Sequence, residues 1–347
     1  MIQKMLGTAT CALLVSLAGA ASAEGKIVIS NWDGYMPADL LANFTKETGI
    51  EAEMTVHATN EEIMGKVVAS GGKGYDVLFV SSQFGEALYN LGLAAELDHA
   101  KIPNLANLYP EAMKLSFDVG LKYSVPYAWG TTGLCYRSDI VTTAPTSWND
   151  LLKPADALKG KTTMLATDRW LMMPALLSLG YSINTVDEGE LAKAKDLLIE
   201  TKKTLLAYDD TTFYTKLVSG EASLVEAWDG WCNFGIAENP AIKYVVPKEG
   251  SDMWVDTMVV TAASENKEAA QAFINYVLKT ENHRWVAESF FYKVPNKAAM
   301  DGVDPALVAQ YPNMGITPAE LLKFEQLRDL GDGQKLWSKT VTEITTN

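Results

Sequence analysis

The residues that could do chemistry in this chain are tryptophans and aspartates set close together. There are nine tryptophans, and Trp32, Trp129, Trp170, Trp228, Trp231 and Trp254 fall where strand-like runs end and helix-like runs begin. Asp33, Asp168, Asp229 and Asp256 are interleaved with them. A single tryptophan is usually core packing. In an open α/β sheet, however, strand ends face the ligand crevice, and an aromatic face beside a carboxylate is chemistry for a cation. Each ring contributes about 0.5–2 kcal/mol of attraction to an ammonium group, and the carboxylate supplies a charge-assisted hydrogen bond.

Catalytic constellations are missing from the sequence. There is no G-x-S-x-G nucleophile elbow. His57, His99 and His283 are far apart and carry no second His or Cys at metal-ligand spacing. Glu61 follows His57 by four residues, a pair better read as a strand end beside a helix start. Gly160-Lys161-Thr162 resembles the end of a phosphate-binding loop, but Ala155 occupies the place of its first glycine. No catalytic residue, metal ligand or cofactor site is therefore assigned, and a secreted hydrolase is the least favoured reading.

The elements that must position these residues alternate strand and helix. Lys26–Trp32 reads as a strand, and Pro37 opens a helix through Glu47 closed by Gly49. Ala52–His57 is the next strand. Thr59-Asn-Glu-Glu62 is a capping box for a helix ending at Gly71-Gly72. Tyr75–Val80 is apolar enough for a strand buried on both faces, and Ser81-Ser82 begins another helix. The same grammar restarts with a strand at Thr162–Ala166 and helices at Arg169–Leu179 and Asp187–Lys203. Strands at Leu205–Asp209 and Ser223–Trp228 follow, with a helix around Phe213–Val218 between them. The pattern predicts two α/β lobes joined by strands near Thr132–Arg137 and Thr257–Ala262, enclosing a cleft that closes by a hinge. The first lobe is expected over 24–133 plus 260–307, with Lys267–Lys279 as a helix packed back on it. The second is expected over 134–259 plus 308–347.

Bulk properties limit the setting. Residues 1–23 have the layout of a signal peptide: Lys4 in front, the apolar stretch Cys11–Ala20, then Ala21-Ser22-Ala23 before the cleavage point. Cys11 begins that stretch instead of ending it, which argues against a lipid anchor. No later run approaches the about 18 apolar residues of a membrane span. A chain of 347 residues exceeds the roughly 250–300 at which single cores stop growing. Its net charge of −14 disfavours nucleic acid and anionic lipid as partners, and a solvated acidic surface accounts for that charge as well as a cationic ligand does. Cys135 and Cys232 are the two cysteines left after processing; one bridge or two separate thiols both remain open.

Motifs along most of the chain resemble one family, the periplasmic spermidine/putrescine-binding proteins of ABC importers. They are N-W-D-G-Y at Asn31–Tyr35, E-T-G-I at Glu47–Ile50, Y-D-V-L-F-V-S-S at Tyr75–Ser82 and V-P-Y-A-W-G-T-T-G at Val125–Gly133. They continue with W-V-D at Trp254–Asp256, A-F-I-N-Y-V-L at Ala272–Leu278 and F-Y-K-V-P-N-K-A-A at Phe291–Ala299. The resemblance implies a type II periplasmic-binding fold with a small amine held between the lobes. It also implies delivery to a membrane permease, a periplasmic location and a monomeric, non-enzymatic protein that does not itself insert in the membrane. Carried over by position, Trp32 and Tyr35 line the first lobe, Ser81 and Gln83 follow the buried strand, and Trp228 forms an aromatic wall. Trp254 and Asp256 make the main ammonium site, and Tyr292 sits at the return crossing.

The chain also departs from that pattern. Gly34 stands where the family has an acidic residue, with Asp33 one position earlier. Trp170 takes the place of a glutamate between Arg169 and Leu171, and Trp231 takes that of an aspartate. Carboxylates for a second ammonium would then have to come from Asp33, Asp168 or Asp229. If Arg169 reached the cleft, it would repel a second ammonium and bind a carboxylate. Two ligand classes follow: a diamine or polyamine first, and a zwitterionic or single-amine ligand such as 4-aminobutyrate second.

Overall fold

The computed structural model describes residues 25–346; the leader expected over residues 1–23 lies outside them. Among these residues ten strands form one hydrogen-bonded sheet, eight along a continuous path and two branching from it. The first lobe is built on β1 (Lys26–Asn31), β2 (Glu51–Val56) and β3 (Val77–Ser81), with α1 (Leu40–Thr48), α2 (Asn60–Ser70) and α3 (Ser82–Asn90) between and after them. β1 pairs in parallel with both β2 and β3. β3, V-L-F-V-S, is buried along its whole length, as a strand covered on both faces must be.

Two long strands join the lobes. β4 (Ser124–Arg137) pairs antiparallel with β9 (Asp252–Val260) along its first half. Its second half pairs with β7 (Leu224–Trp228) and β8 (Ile242–Val245). β7 continues in parallel to β5 (Thr162–Met164), and β5 to β6 (Ala207–Tyr208). The crossing strand is thus longer than Thr132–Arg137, because Ser124–Thr131 hydrogen-bonds β9 without a break in the chain direction. β9 pairs with β3 from Asp256 to Val260, so this segment extends the first lobe's sheet, although 134–259 was expected in the second lobe. A third connection, β10 (Glu325–Gln326), pairs in parallel with the start of β9.

The helices of the second lobe are α4 (Asn149–Leu152), α5 (Asp168–Ser178), α6 (Glu188–Lys202), α7 (Phe213–Ser219) and α8 (Asp229–Glu238). α9 (Lys267–Val277) and α10 (Thr280–Phe290) return to the first lobe, where Phe273 packs on Phe44 and Phe79. The C-terminal helix Gly333–Thr346 lies on α5 and α6. Among the described residues, no helix is long and apolar enough to cross a membrane.

Local signals place several site residues. Thr59 caps α2 by accepting from the Glu62 backbone N–H, while the Glu62 carboxylate reaches back to the Ala58 N–H; this fixes the helix start at the mouth of the cleft. Pro37 does not open α1, which begins at Leu40, three residues later. Pro126 lacks an N–H, and β4 bulges there, with Pro126 facing Thr257 and Ala128 facing Asp256. The residue skipped is Tyr127, whose hydroxyl donates to the Tyr35 carbonyl at 2.8 Å.

Cys135 on β4 and Cys232 on α8 are bridged, with 6.0 Å between their Cα atoms and a sequence separation of 97. Closing so long a loop removes much chain entropy from the unfolded state, about 4.7 kcal/mol in the chain-entropy model. The Cys135→Ser, Cys232→Ser double variant should therefore lose about 2–5 kcal/mol in denaturant unfolding under oxidising conditions. Under reducing conditions wild type and variant should converge. Equal stability in both conditions would show that the bridge is not formed in solution.

Candidate functional site

The cleft between the lobes has a volume of about 560 Å³. Strand ends and helix starts converge on it, as a sheet crevice requires. Trp32 follows β1, Ser81 ends β3 and caps α3, Trp228 ends β7 and caps α8, and Trp170 stands in the first turn of α5. Trp254 and Asp256 project from β9, two residues apart and so on the same face of the strand. Tyr292, just after α10, closes the first-lobe side.

Asp256 is the organising group. Its Oδ1 accepts from the Ser81 hydroxyl at 2.8 Å and its Oδ2 from the Tyr35 hydroxyl at 2.9 Å. Ser81 is held by Asn60, whose side chain accepts from the Ser81 N–H and donates to its hydroxyl. Tyr35 meets Tyr292 edge-on at 5.6 Å, and Tyr292 meets Trp254 at 5.5 Å. Burial among these rings pushes the Asp256 carboxyl up to about 6, outweighing the two hydroxyls that favour its charged form. Burial and the neighbouring Asp256 charge hold Tyr35 well above its usual range, so it stays a donor. Asp256 is a carboxylate with two hydroxyl partners and no cation among the described residues.

Glycine makes room for these rings. A Cβ on Gly130 would stand 2.3 Å from the Trp254 ring, and one on Gly230 would stand 2.3 Å from Tyr292. Neither position can carry a side chain unless a wall of the site moves.

The second lobe supplies the opposite aromatic wall. Trp170 meets Trp228 edge-on at 5.4 Å, and its Nε1 donates to Asp252 at 2.9 Å. Burial raises the Asp252 carboxyl to about 6. Phe213 and Tyr214 brace Trp231. On the first lobe Trp32 rests on His57 at 5.0 Å, and the His57 Nδ1 pairs with the Ser30 hydroxyl. Burial lowers His57 to about 4, leaving it neutral at physiological pH.

Of the residues singled out in the sequence, Trp32, Asp33, Tyr35, Ser81, Trp170, Trp228, Trp231, Trp254, Asp256 and Tyr292 all line this cleft. Two do not. Gln83 is buried in the first turn of α3, outside the wall. Arg169 points away from the cleft. Its guanidinium donates to the carbonyls of Arg328 and Ile183 and to the Asn184 side chain, and lies 4.7 Å above the Trp337 ring. Asp168 accepts from Ser338 on the C-terminal helix, and Asp229 is paired with Lys293 at 2.8 Å. Sequence reasoning missed Glu61 and Asp210, whose carboxylates also line the cleft. The capping box at Thr59 and the end of the strand at Asp209 were the signals that could have found them.

The cleft wall thus carries Asp33, Glu61, Asp210 and Asp256, and no lysine or arginine among the described residues. The model for the bacterial extracellular solute-binding protein family matches residues 39–316, and the chain belongs to that family. It is 32% identical over 322 residues to the spermidine/putrescine-binding periplasmic protein of Salmonella typhimurium, covering 92% of this chain and 91% of that one. It is 29% identical to the putrescine/cadaverine-binding protein of Pseudomonas aeruginosa, over 98% and 99% of the two chains. The crystal structure of the spermidine/putrescine ABC transporter substrate-binding protein PotD from Streptococcus pneumoniae superposes with a TM-score of 0.79 at 30% identity, covering 93% of this chain and 99% of that one.

Asp256 yields a prediction with a defined sign. Its carboxyl is raised from 3.8 to about 6, so the folded, ligand-free protein favours the protonated form. That contribution to stability is fully present below about pH 4 and is lost as pH rises through about 6. Asp256→Asn should therefore stabilise the ligand-free protein at pH 7.5, by on the order of 1–3 kcal/mol, with the gain vanishing near pH 4. Urea unfolding across that range checks it. A variant less stable than wild type at pH 7.5 would show that the carboxylate is compensated.

Proposed function

We propose that this chain is a periplasmic receptor that captures a dicationic or polycationic amine of the putrescine/spermidine class and presents it to the permease of an ABC importer, without transforming it. The observation carrying this reading is the charge of the cleft: four carboxylates and aromatic faces, with no lysine or arginine among the described lining residues and His57 held neutral by burial. Such a wall leaves Asp256 without a counter-ion until a ligand supplies one. An ammonium there would donate to the Asp256 carboxylate and neutralise its charge while the ligand's methylenes lie against Trp254 and Tyr292. The relatives' names point to the same chemistry. Export to the periplasm, a monomeric state and hinge closure between the lobes belong to this reading.

A zwitterion such as 4-aminobutyrate would need a cation for its carboxylate. Arg169, the residue that could have provided it, is engaged behind the wall. A single-headed amino acid would also face uncompensated repulsion from the remaining carboxylates.

A thermal-shift titration of the purified protein at pH 7.5 tests the reading. Putrescine or spermidine at about 100 times its dissociation constant should add about 2.7 kcal/mol of stability, and small-angle scattering should show compaction on binding. Both compounds should be recovered unchanged. Stabilisation by 4-aminobutyrate with none by either diamine or polyamine would overturn the assignment, as would turnover of any of them.

A further inference from the structure

We propose that Glu61 and Asp210, one on each lobe, form a cross-cleft clasp for the ligand's second ammonium, and that engaging this clasp is what closes the cleft. The inference rests on the amine reading above and adds the far end of the ligand to it.

The two carboxylates come from opposite sides of the hinge. Glu61 stands in the first turn of α2, set by the Thr59 cap; Asp210 follows β6 in the second lobe. Both line the cleft that holds Asp256. Asp210 is held in place by neutral donors. Its Oδ1 accepts from the Ala166 N–H at 2.7 Å and its Oδ2 from the Thr167 hydroxyl at 2.8 Å. Its neighbour Asp209 has a cation, Lys216 at 2.5 Å, and so do Asp229 and Glu86, paired with Lys293 and Arg328. Asp210 and Glu61 have none among the described residues. Loss of hydration raises both carboxyls, and at Glu61 the charge of Asp168 and then that of Asp210 add to the shift, so the Asp210 charge is felt across the gap. A separate observation in the same wall also points to a ligand. His57 is 1% exposed, and its Nε2 has no partner among the described residues.

Two like charges on opposing lobes oppose closure, and a cation between them converts that repulsion into attraction to both lobes. Of the carboxylates that sequence reasoning offered for this role, Asp168 and Asp229 do not line the cleft, and Asp229 is already paired with Lys293. Asp33 is the remaining competitor, since it too lines the cleft.

The test compares putrescine with 1-aminobutane, which has the same carbon chain and one ammonium. By calorimetry, Asp210→Asn should weaken putrescine about 30-fold or more. Glu61→Gln, which leaves the Thr59 cap of α2 in place, should weaken it about 10-fold. Because both act on one ammonium, the double variant should lose less than the product of the two effects. Neither change should alter 1-aminobutane affinity by more than about 3-fold, whereas Asp256→Asn should reduce both ligands. Scattering should show full compaction of wild type with putrescine and reduced compaction with 1-aminobutane. If Asp33→Asn takes the loss, or neither clasp variant affects putrescine while Asp256→Asn does, the clasp is refuted and the amine reading stands. If wild type binds neither amine, the amine reading itself fails.

Discussion

An ionised carboxylate surrounded by aromatic rings has only a few ways to lower its free energy, and much of this molecule is arranged around Asp256 having not yet taken one. Its two hydroxyl donors, Ser81 and Tyr35, stabilise the charge incompletely, which is why the carboxyl remains raised to about 6. A lysine in the wall would have solved the problem permanently and filled the site. The Asn60–Ser81 pair, the Tyr127 contact that anchors Tyr35, and the close approach of Trp254 to Gly130 hold the carboxylate and its rings in place with neutral groups alone. The compensating charge is left to come from solution, so the cost of keeping Asp256 buried becomes binding energy for a cation.

The joints between the lobes follow the opposite rule. Lys293 and Asp229, 4% and 3% exposed at their side chains, form an ion pair where α8 of the second lobe meets the chain returning from the first. The Lys293 ammonium also donates to the Asn313 carbonyl, and Asp229 accepts from the Thr131 N–H on β4. Arg328 grips Glu86 of α3 with Nε at 2.9 Å from Oε2, and the Arg328 carbonyl accepts from Arg169 of α5. Breaking the buried Lys293–Asp229 pair would leave a charge without a partner, so this contact fixes the path of the crossing segments. Charges are matched at the crossings and unmatched in the cleft. That difference separates scaffold from site.

Much of this was legible in the sequence, for reasons that differ by element. β3 could be read because V-L-F-V has no polar position to spare, and α2 because Thr59 and Glu62 announce its start. The crossing role of β4 was harder to see in full. Its first half contains Pro126, which argues against a central strand until the bulge is known. β8 and β10 are short and pair only through tertiary context, so no local pattern marks them. At the site, the aromatic residues were found because tryptophans at strand ends have few other uses. Glu61 was passed over because its place in a capping sequence already explained an acidic residue there. Asp210 was passed over because Asp-Asp after a strand reads as a turn.

Arg169 and Asp168 show where sequence reasoning reaches its limit. Both sit in the first turn of α5 beside Trp170, and only Trp170 of the three turns to the cleft. Successive helix positions are about 100° apart, so three neighbours cannot share one face. Once Trp170 faces its ring partner Trp228 and donates to Asp252, Arg169 is directed to the C-terminal helix and the third crossing, and Asp168 to Ser338. The sequence alone leaves open which of the three faces inward. Packing resolves it, because an indole can complete an aromatic wall, while a guanidinium there would stand against the cleft's carboxylates without the carbonyl partners it has behind the wall. The charge pattern of the cleft is thus set in part by the rotation of one helix, which keeps the arginine on the scaffold side and the tryptophan on the ligand side.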